Sequence, residues 1–229
     1  MSKIGYKQLL KHYNQMLELF DVVHFSSQVP ENQYRKHTSI RASERVAITN
    51  NNIADNRKER GFDSQGLKLL FVGNTSSYKG FTVLEQVLQE LHYEGCRDWS
   101  LDVWGDVGHS DCELITYRGS YKPEELGKIY QKDSLLIVPS LWHETFSLTT
   151  LEALSYGTPV LVSSVVGAKD IVGKYDDWFI FAERAELKYK LLRLIENRTQ
   201  LREFNKAIVN GAWEHSLRSH AQEIIKLYK

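Results

Sequence analysis

The sequence predicts an α/β protein built on a doubly wound parallel sheet, and three observations carry that expectation. From Leu67 onward, short apolar runs alternate with stretches of helical periodicity. The runs KLLFVG (68–73), SLDVW (100–104), ITYRG (115–119), SLLIVPS (134–140) and PVLVS (159–163) have near-continuous apolar cores, as parallel strands buried on both faces require. Helical stretches at about 79–94, 122–132 and 147–156 separate them, and that alternation is the pattern of successive βαβ units.

Each flank has its own reading. Residues 4–20 repeat apolar side chains at helical spacing (Leu9, Tyr13, Met16, Leu17, Phe20), with Lys3, Lys7 and Lys11 along the border. Such a helix would suit a membrane surface, but packing against the rest of the protein is the favoured reading. A short apolar run (Val22 to Phe25), an amphipathic stretch (Pro30 to Ile40) and a strand (Arg45 to Thr49) follow. Residues 50–66 are polar and charged, which marks a linker or domain boundary. Pro123 before two glutamates is a good helix opening. After a strand near Asp177 to Phe181, the pattern is helical from Glu183 to Lys229.

Bulk properties narrow the function. Twenty-nine basic residues balance 29 acidic ones, which argues against nucleic acid, because phosphate-backbone binding leaves a basic surplus. Cys96 and Cys112 form no C-x-x-C pair and are expected as free thiols. The polar N-terminus has no apolar signal core, so a cytoplasmic protein is expected, at most touching the inner face of a membrane.

The densest stretch is 139–172, PSLWHETFSLTTLEALSYGTPVLVSSVVGAKDIV. A buried strand ends at Pro139-Ser140, a loop carries Trp142, His143 and Glu144, and a helix begins near Ser147. That helix start lies at the carboxyl edge of the sheet, where open α/β sheets bind ligands and free backbone N–H groups suit a phosphate. Trp142 reads as a packing residue and His143 as a variable loop position. Gly105-Asp-Val-Gly108 follows the wrong strand for a dinucleotide fingerprint and is set aside.

The segment Glu144-Thr-Phe-Ser-Leu-Thr-Thr-Leu-Glu152 resembles the "Glu, seven residues, Glu" motif of the retaining glycosyltransferases of family 4, as do the flanking Pro139-Ser140-Leu-Trp142 and Gly157-Thr-Pro159-Val. Phe71-Val72-Gly73 with Tyr78-Lys79-Gly80 is similar to that family's first strand and "Lys-Gly" loop. Leu101 to Gly105, Tyr117-Arg118-Gly119, Pro123 to Leu126 and Val46 to Asn50 resemble further family segments, so the likeness covers roughly residues 20–227.

The resemblance implies two Rossmann-like domains of the GT-B fold with the active site between them, and it places this chain at the C-terminal, donor-binding domain. It further implies that the acceptor domain is almost absent: residues 1–65 would be its remnant and the linker, 66–196 the nucleotide-sugar domain and 197–229 the C-terminal helices. The implied substrates are a UDP- or GDP-linked sugar and a glycan or lipid-linked acceptor, with no metal, and a separate acceptor-domain chain is the implied partner. Carried over residue by residue, Lys79 contacts the diphosphate and Glu144 the donor sugar, as the catalytic pair. Glu152 holds the ribose. The backbone N–H groups of Phe146, Ser147 and Leu148 face the sugar phosphate, Gly73 and Asn74 border the donor, and Gly119 to Tyr121 meet the base.

Three positions depart from the family pattern. Asn74 stands where an Arg is common, so one positive charge on the diphosphate is lost, and Ser147 replaces a frequent glycine, a milder change at a helix start. Asn51 replaces a turn glycine and tolerates left-handed backbone. Asn74 and the missing domain favour one alternative, a non-catalytic partner subunit of a split enzyme. The loop GNTSSYKG lacks a glycine-rich fingerprint and disfavours a dehydrogenase.

Overall fold

The computed structural model describes residues 5–63, 65–132 and 134–228. Helix α1 (Tyr6–Leu17) leads to strand β1 (Val23–Phe25), helix α2 (Gln28–Arg35) and strand β2 (Ser43–Arg45), and β1 and β2 form a two-stranded parallel sheet. β2 begins two residues before the expected strand. Val46 N–H closes the ladder on Phe25 C=O at 2.9 Å, and the chain then enters a turn where Asn50 Oδ1 accepts from Asn52 N–H at 2.8 Å. The expected packing of α1 is only partial. Only Leu17 is buried, while Tyr6, Leu9, Tyr13 and Met16 stay exposed, and the helix borders an open apolar groove of about 710 Å³ shared with β1 and α2.

The main sheet is built from β3 (Leu67–Val72), β4 (Trp99–Trp104), β5 (Ile115–Gly119), β6 (Ser134–Val138), β7 (Val160–Ser163) and β8 (Ile180–Phe181). All neighbours are parallel and the order is β5-β4-β3-β6-β7-β8. Helices α3 (Phe81–Tyr93), α4 (Leu126–Tyr130), α5 (Leu148–Ser155) and α6 (Lys169–Val172) connect the strands. β6 and β7 are buried along their whole length, and α3 turns Leu84, Val87, Leu88 and Leu91 into the core at helical spacing. The chain winds outward from β3 to β5, then returns to lay β6 on the other side of β3. This is the Rossmann order, and it opens a crevice beyond the carboxyl ends of β3 and β6.

The continuous helical tail resolves into α7 (Arg184–Glu196), α8 (Thr199–Asn210) and α9 (Leu217–Leu227). Asn197 Oδ1 takes the N–H of Thr199, the extended Gly211 follows α8, and Ser216 Oγ accepts from Ser219 N–H to start α9. Residues 52–63, expected as a linker, lie packed on the domain. Ile53 and Phe62 are buried, and Arg57 donates to the C=O of Ile208 and Gly211 at the end of α8. The buried Asn205 side chain donates to Lys58 C=O (3.0 Å) and Gly157 C=O (2.7 Å) and accepts from Arg60 N–H (2.9 Å).

Candidate functional site

The crevice between β3 and β6 receives the loops that follow them. The β3 loop starts at Gly73 (φ +140°), where a Cβ would meet open space, so backbone conformation is what asks for glycine. It ends at Gly80 (φ +74°), where a Cβ would stand 1.8 Å from Pro139 O. Only a bare backbone lets the two loops touch. Between these points the exposed Asn74 bends back on its own loop, its Oδ1 accepting from Ser76 N–H and Oγ–H.

Lys79 and Glu144, 65 positions apart, meet here: Lys79 Nζ lies 2.8 Å from Glu144 Oε1, and the buried Ser140 donates its hydroxyl to the same oxygen. Gly73, Asn74, Lys79, Ser140, Glu144 and Thr149 line a pocket of about 190 Å³. The 139–147 loop is fixed from behind, with Glu144 N–H donating to Val165 C=O (3.0 Å) and Ala168 N–H to Phe146 C=O (2.8 Å). Phe146 itself is core, so only its backbone can face a ligand.

Ser147 caps α5, its Oγ accepting from Thr150 N–H and Oγ1–H. Its backbone sits at φ 116°, a conformation that suits glycine. The replacement of glycine is therefore not a mild one. Among the described residues, no protein acceptor takes the N–H groups of Phe146, Ser147 and Leu148, as is general at a helix start, and such groups suit an anion.

A second cluster lies deeper along α5. Glu152 is 8% exposed, and burial pushes its pKa up to about 7. The Tyr130 hydroxyl lies against that carboxylate and pulls in the opposite direction, although its placement falls short of a formed hydrogen bond. Burial, then the charge of Glu152, raises the phenol pKa of Tyr121, Tyr130 and Tyr156. Tyr121 also meets Trp104 edge-on at 6.5 Å, near Gly119 at the end of β5. The residues singled out in the sequence thus fall into two neighbourhoods, Gly73–Asn74–Lys79–Glu144 at the crevice and Glu152–Tyr121 beside it.

Sequence reasoning missed Ser140, Thr149, Tyr130 and one clamp. Thr75 N–H and Oγ1–H donate to Asp106 Oδ2 at 2.8 and 2.7 Å, tying the β3 loop to the β4 loop, and this holds the half-buried Asp106 carboxyl below its ordinary pKa. The Gly105-Asp106 pair was the signal, set aside because it does not follow the first strand. Trp142, expected to pack, is 71% exposed. Among the described residues, no three His, Cys, Asp or Glu side chains gather as a metal site, and no helix is long and apolar enough to cross a membrane.

Solved structures share this architecture. HepE of Anabaena, crystallised with UDP and glucose, superposes with a TM-score of 0.73 at 15% identity, over 98% of this chain and 67% of that one. TarM of Staphylococcus aureus, solved with UDP, Fondaparinux and alpha-GlcNAc-glycerol, gives a TM-score of 0.73 at 14% identity, over 100% of this chain and 48% of that one. The fold is that of a Rossmann-like domain of a GT-B glycosyltransferase. The chain belongs to the group 1 glycosyl transferases, whose family model matches residues 52–211. Among curated relatives, O-antigen chain mannosyltransferase B of Escherichia coli is 33% identical over 116 residues, 45% of this chain and 30% of that protein. A D-inositol 3-phosphate glycosyltransferase of Corynebacterium aurimucosum is 24% identical over 190 residues, 75% of this chain and 45% of that protein. This chain spans about a third of the length of most of the curated relatives it matches.

Proposed function

We propose that this domain binds the donor of a retaining glycosyltransferase, a UDP- or GDP-linked hexose or hexosamine destined for a glycan or lipid-linked acceptor. The observation that carries the reading is the meeting of Lys79, Glu144 and Thr149, in the first turn of α5, in one pocket at the point where the strand order reverses. Lys79 and the helix start would neutralise the departing diphosphate without a metal, and Glu144 would orient the sugar. Glu152 would hold the ribose, with Gly119 to Tyr121 beside the base. HepE and TarM were both solved with UDP, which supports a nucleotide of this kind.

Calorimetric titration with UDP and GDP in the presence of EDTA tests it. Binding should persist without metal, and Glu152→Ala should weaken it by about 1.5–3 kcal/mol, the cost of losing a charged hydrogen-bond partner. Unchanged affinity in that variant would remove Glu152 from the ribose site, and failure of both nucleotides to bind would sink the proposal.

One observation favours the non-catalytic partner subunit instead. Lys79 is already paired with Glu144 and Asn74 is bonded within its own loop, so the pocket holds one cation and one anion.

A further inference from the structure

The loop from Ser140 to Glu144 leaves the pocket wall and returns to it, both end residues lining the same cavity. Its ends are closed by the Ser140–Glu144 hydrogen bond. Leu141 N–H and Trp142 N–H both reach the C=O of Tyr78, at 2.9 and 3.3 Å, which anchors the loop to the residue before Lys79. A five-residue excursion held this way sends its middle outward. Trp142 stands at the tip, 71% exposed, and its Cα lies within about 8 Å of those of Ser140 and Glu144, since consecutive Cα atoms are about 3.8 Å apart. Tyr78, half exposed, stands on the facing loop.

The pocket itself, about 190 Å³, is small beside the roughly 300–1,000 Å³ of sites that enclose a small molecule. A nucleotide sugar seated by Lys79 and Glu144 must therefore project over the rim, and the rim at that end is the Trp142 loop. We propose that the Trp142 indole is a stacking platform for a pyranose ring at the transfer end of the site, with Tyr78 as a second aromatic wall. A pyranose has one apolar C–H face and a rim of hydroxyls. The indole offers a flat apolar surface on a fixed backbone, and His143, next to it in the chain, supplies a hydrogen-bonding group. A protein interface would ask for a wider apolar patch than Trp142 and Leu141 make. This inference rests on the nucleotide-sugar reading above and adds a sugar subsite to it.

The test follows the indole N–H resonance of Trp142 by NMR, assigned by its loss in Trp142→Phe. UDP, UDP-glucose, GDP-mannose, and UDP with methyl α-glucopyranoside are added in turn. The Trp142 signal should move with sugar-bearing additions and stay in place with UDP alone. A response to UDP-glucose or GDP-mannose assigns the platform to the donor sugar, and a response to the methyl glycoside assigns it to the acceptor. Trp142→Ala should cost about three- to tenfold in affinity for the sugar nucleotide that moves the signal, and leave UDP affinity unchanged; Trp142→Phe should keep most of the affinity. If UDP perturbs the pocket while no sugar moves Trp142, the platform is refuted and the nucleotide site stands. Movement with protein concentration alone would instead make this loop a contact between copies. A spectrum unmoved by every nucleotide would remove both readings together.

Discussion

Burying a carboxyl without an ion pair makes stability depend on pH, and Glu152 is such a group. Its pKa is about 7 in the fold against an ordinary 4.5, so between those values the folded chain holds a proton that the unfolded chain has released. Stability therefore falls as pH rises through that window. Thermal melts should show a midpoint several degrees lower at pH 8 than at pH 5.5, and Glu152→Gln should flatten the dependence, because the amide keeps the shape without the charge. A slope unaltered by the substitution would place the titrating group elsewhere. Glu152 was legible in the sequence as half of a spaced pair. Its burial and the tyrosines around it were not, since Tyr121, Tyr130 and Tyr156 come from separate segments. Ser147 shows a different limit. Its cap was readable from residue type, whereas φ 116° was not, since it follows a loop fastened at Glu144 and Phe146 to the distant 165–168 segment.

Among the elements, the strands of the main sheet were readable because two-sided burial leaves unbroken apolar runs, as along β6 and β7. The 52–63 segment was misread for an equally physical reason. Arg57, Arg60 and Lys58 look alike in a solvated linker and in a strap whose arginines and backbone bond to the ends of other elements. Here Arg57 closes the end of α8, and Asn205 of α8 bonds three times to the strap and the α5–β7 turn. Asn205→Ala would remove the buried hydrogen bond to Gly157 C=O and the part-buried ones to Lys58 C=O and Arg60 N–H. Chemical denaturation should show a loss of about 2–4 kcal/mol with an unchanged denaturant slope. A loss under about 0.5 kcal/mol would mean that the strap contributes little to the fold. In the tail, helical periodicity outweighed Asn197, Gly211 and Ser216, which together set the ends of α7, α8 and α9.

At the scale of the whole molecule, alternation of strands and helices implied a doubly wound sheet, but the strand order decides which loops meet. The pairing of β3 with β6 in the order β5-β4-β3-β6-β7-β8 brings the loop carrying Lys79 against the loop carrying Glu144, an adjacency that no local pattern announces. The account's central claim is that these loops hold a diphosphate. Calorimetry comparing UDP with uridine, in wild type, Lys79→Ala and Asn74→Arg, tests it most directly. Uridine should bind alike to all three. UDP should bind the wild type more tightly than uridine, lose most of that advantage in Lys79→Ala, and gain roughly tenfold in Asn74→Arg, since one added charge-assisted contact is worth about 1.4 kcal/mol. That gain should shrink with salt where the new guanidinium stays accessible to solvent. Equal binding of uridine and UDP in all three proteins would contradict the claim and leave the chain as a partner subunit that keeps the fold without the phosphate site.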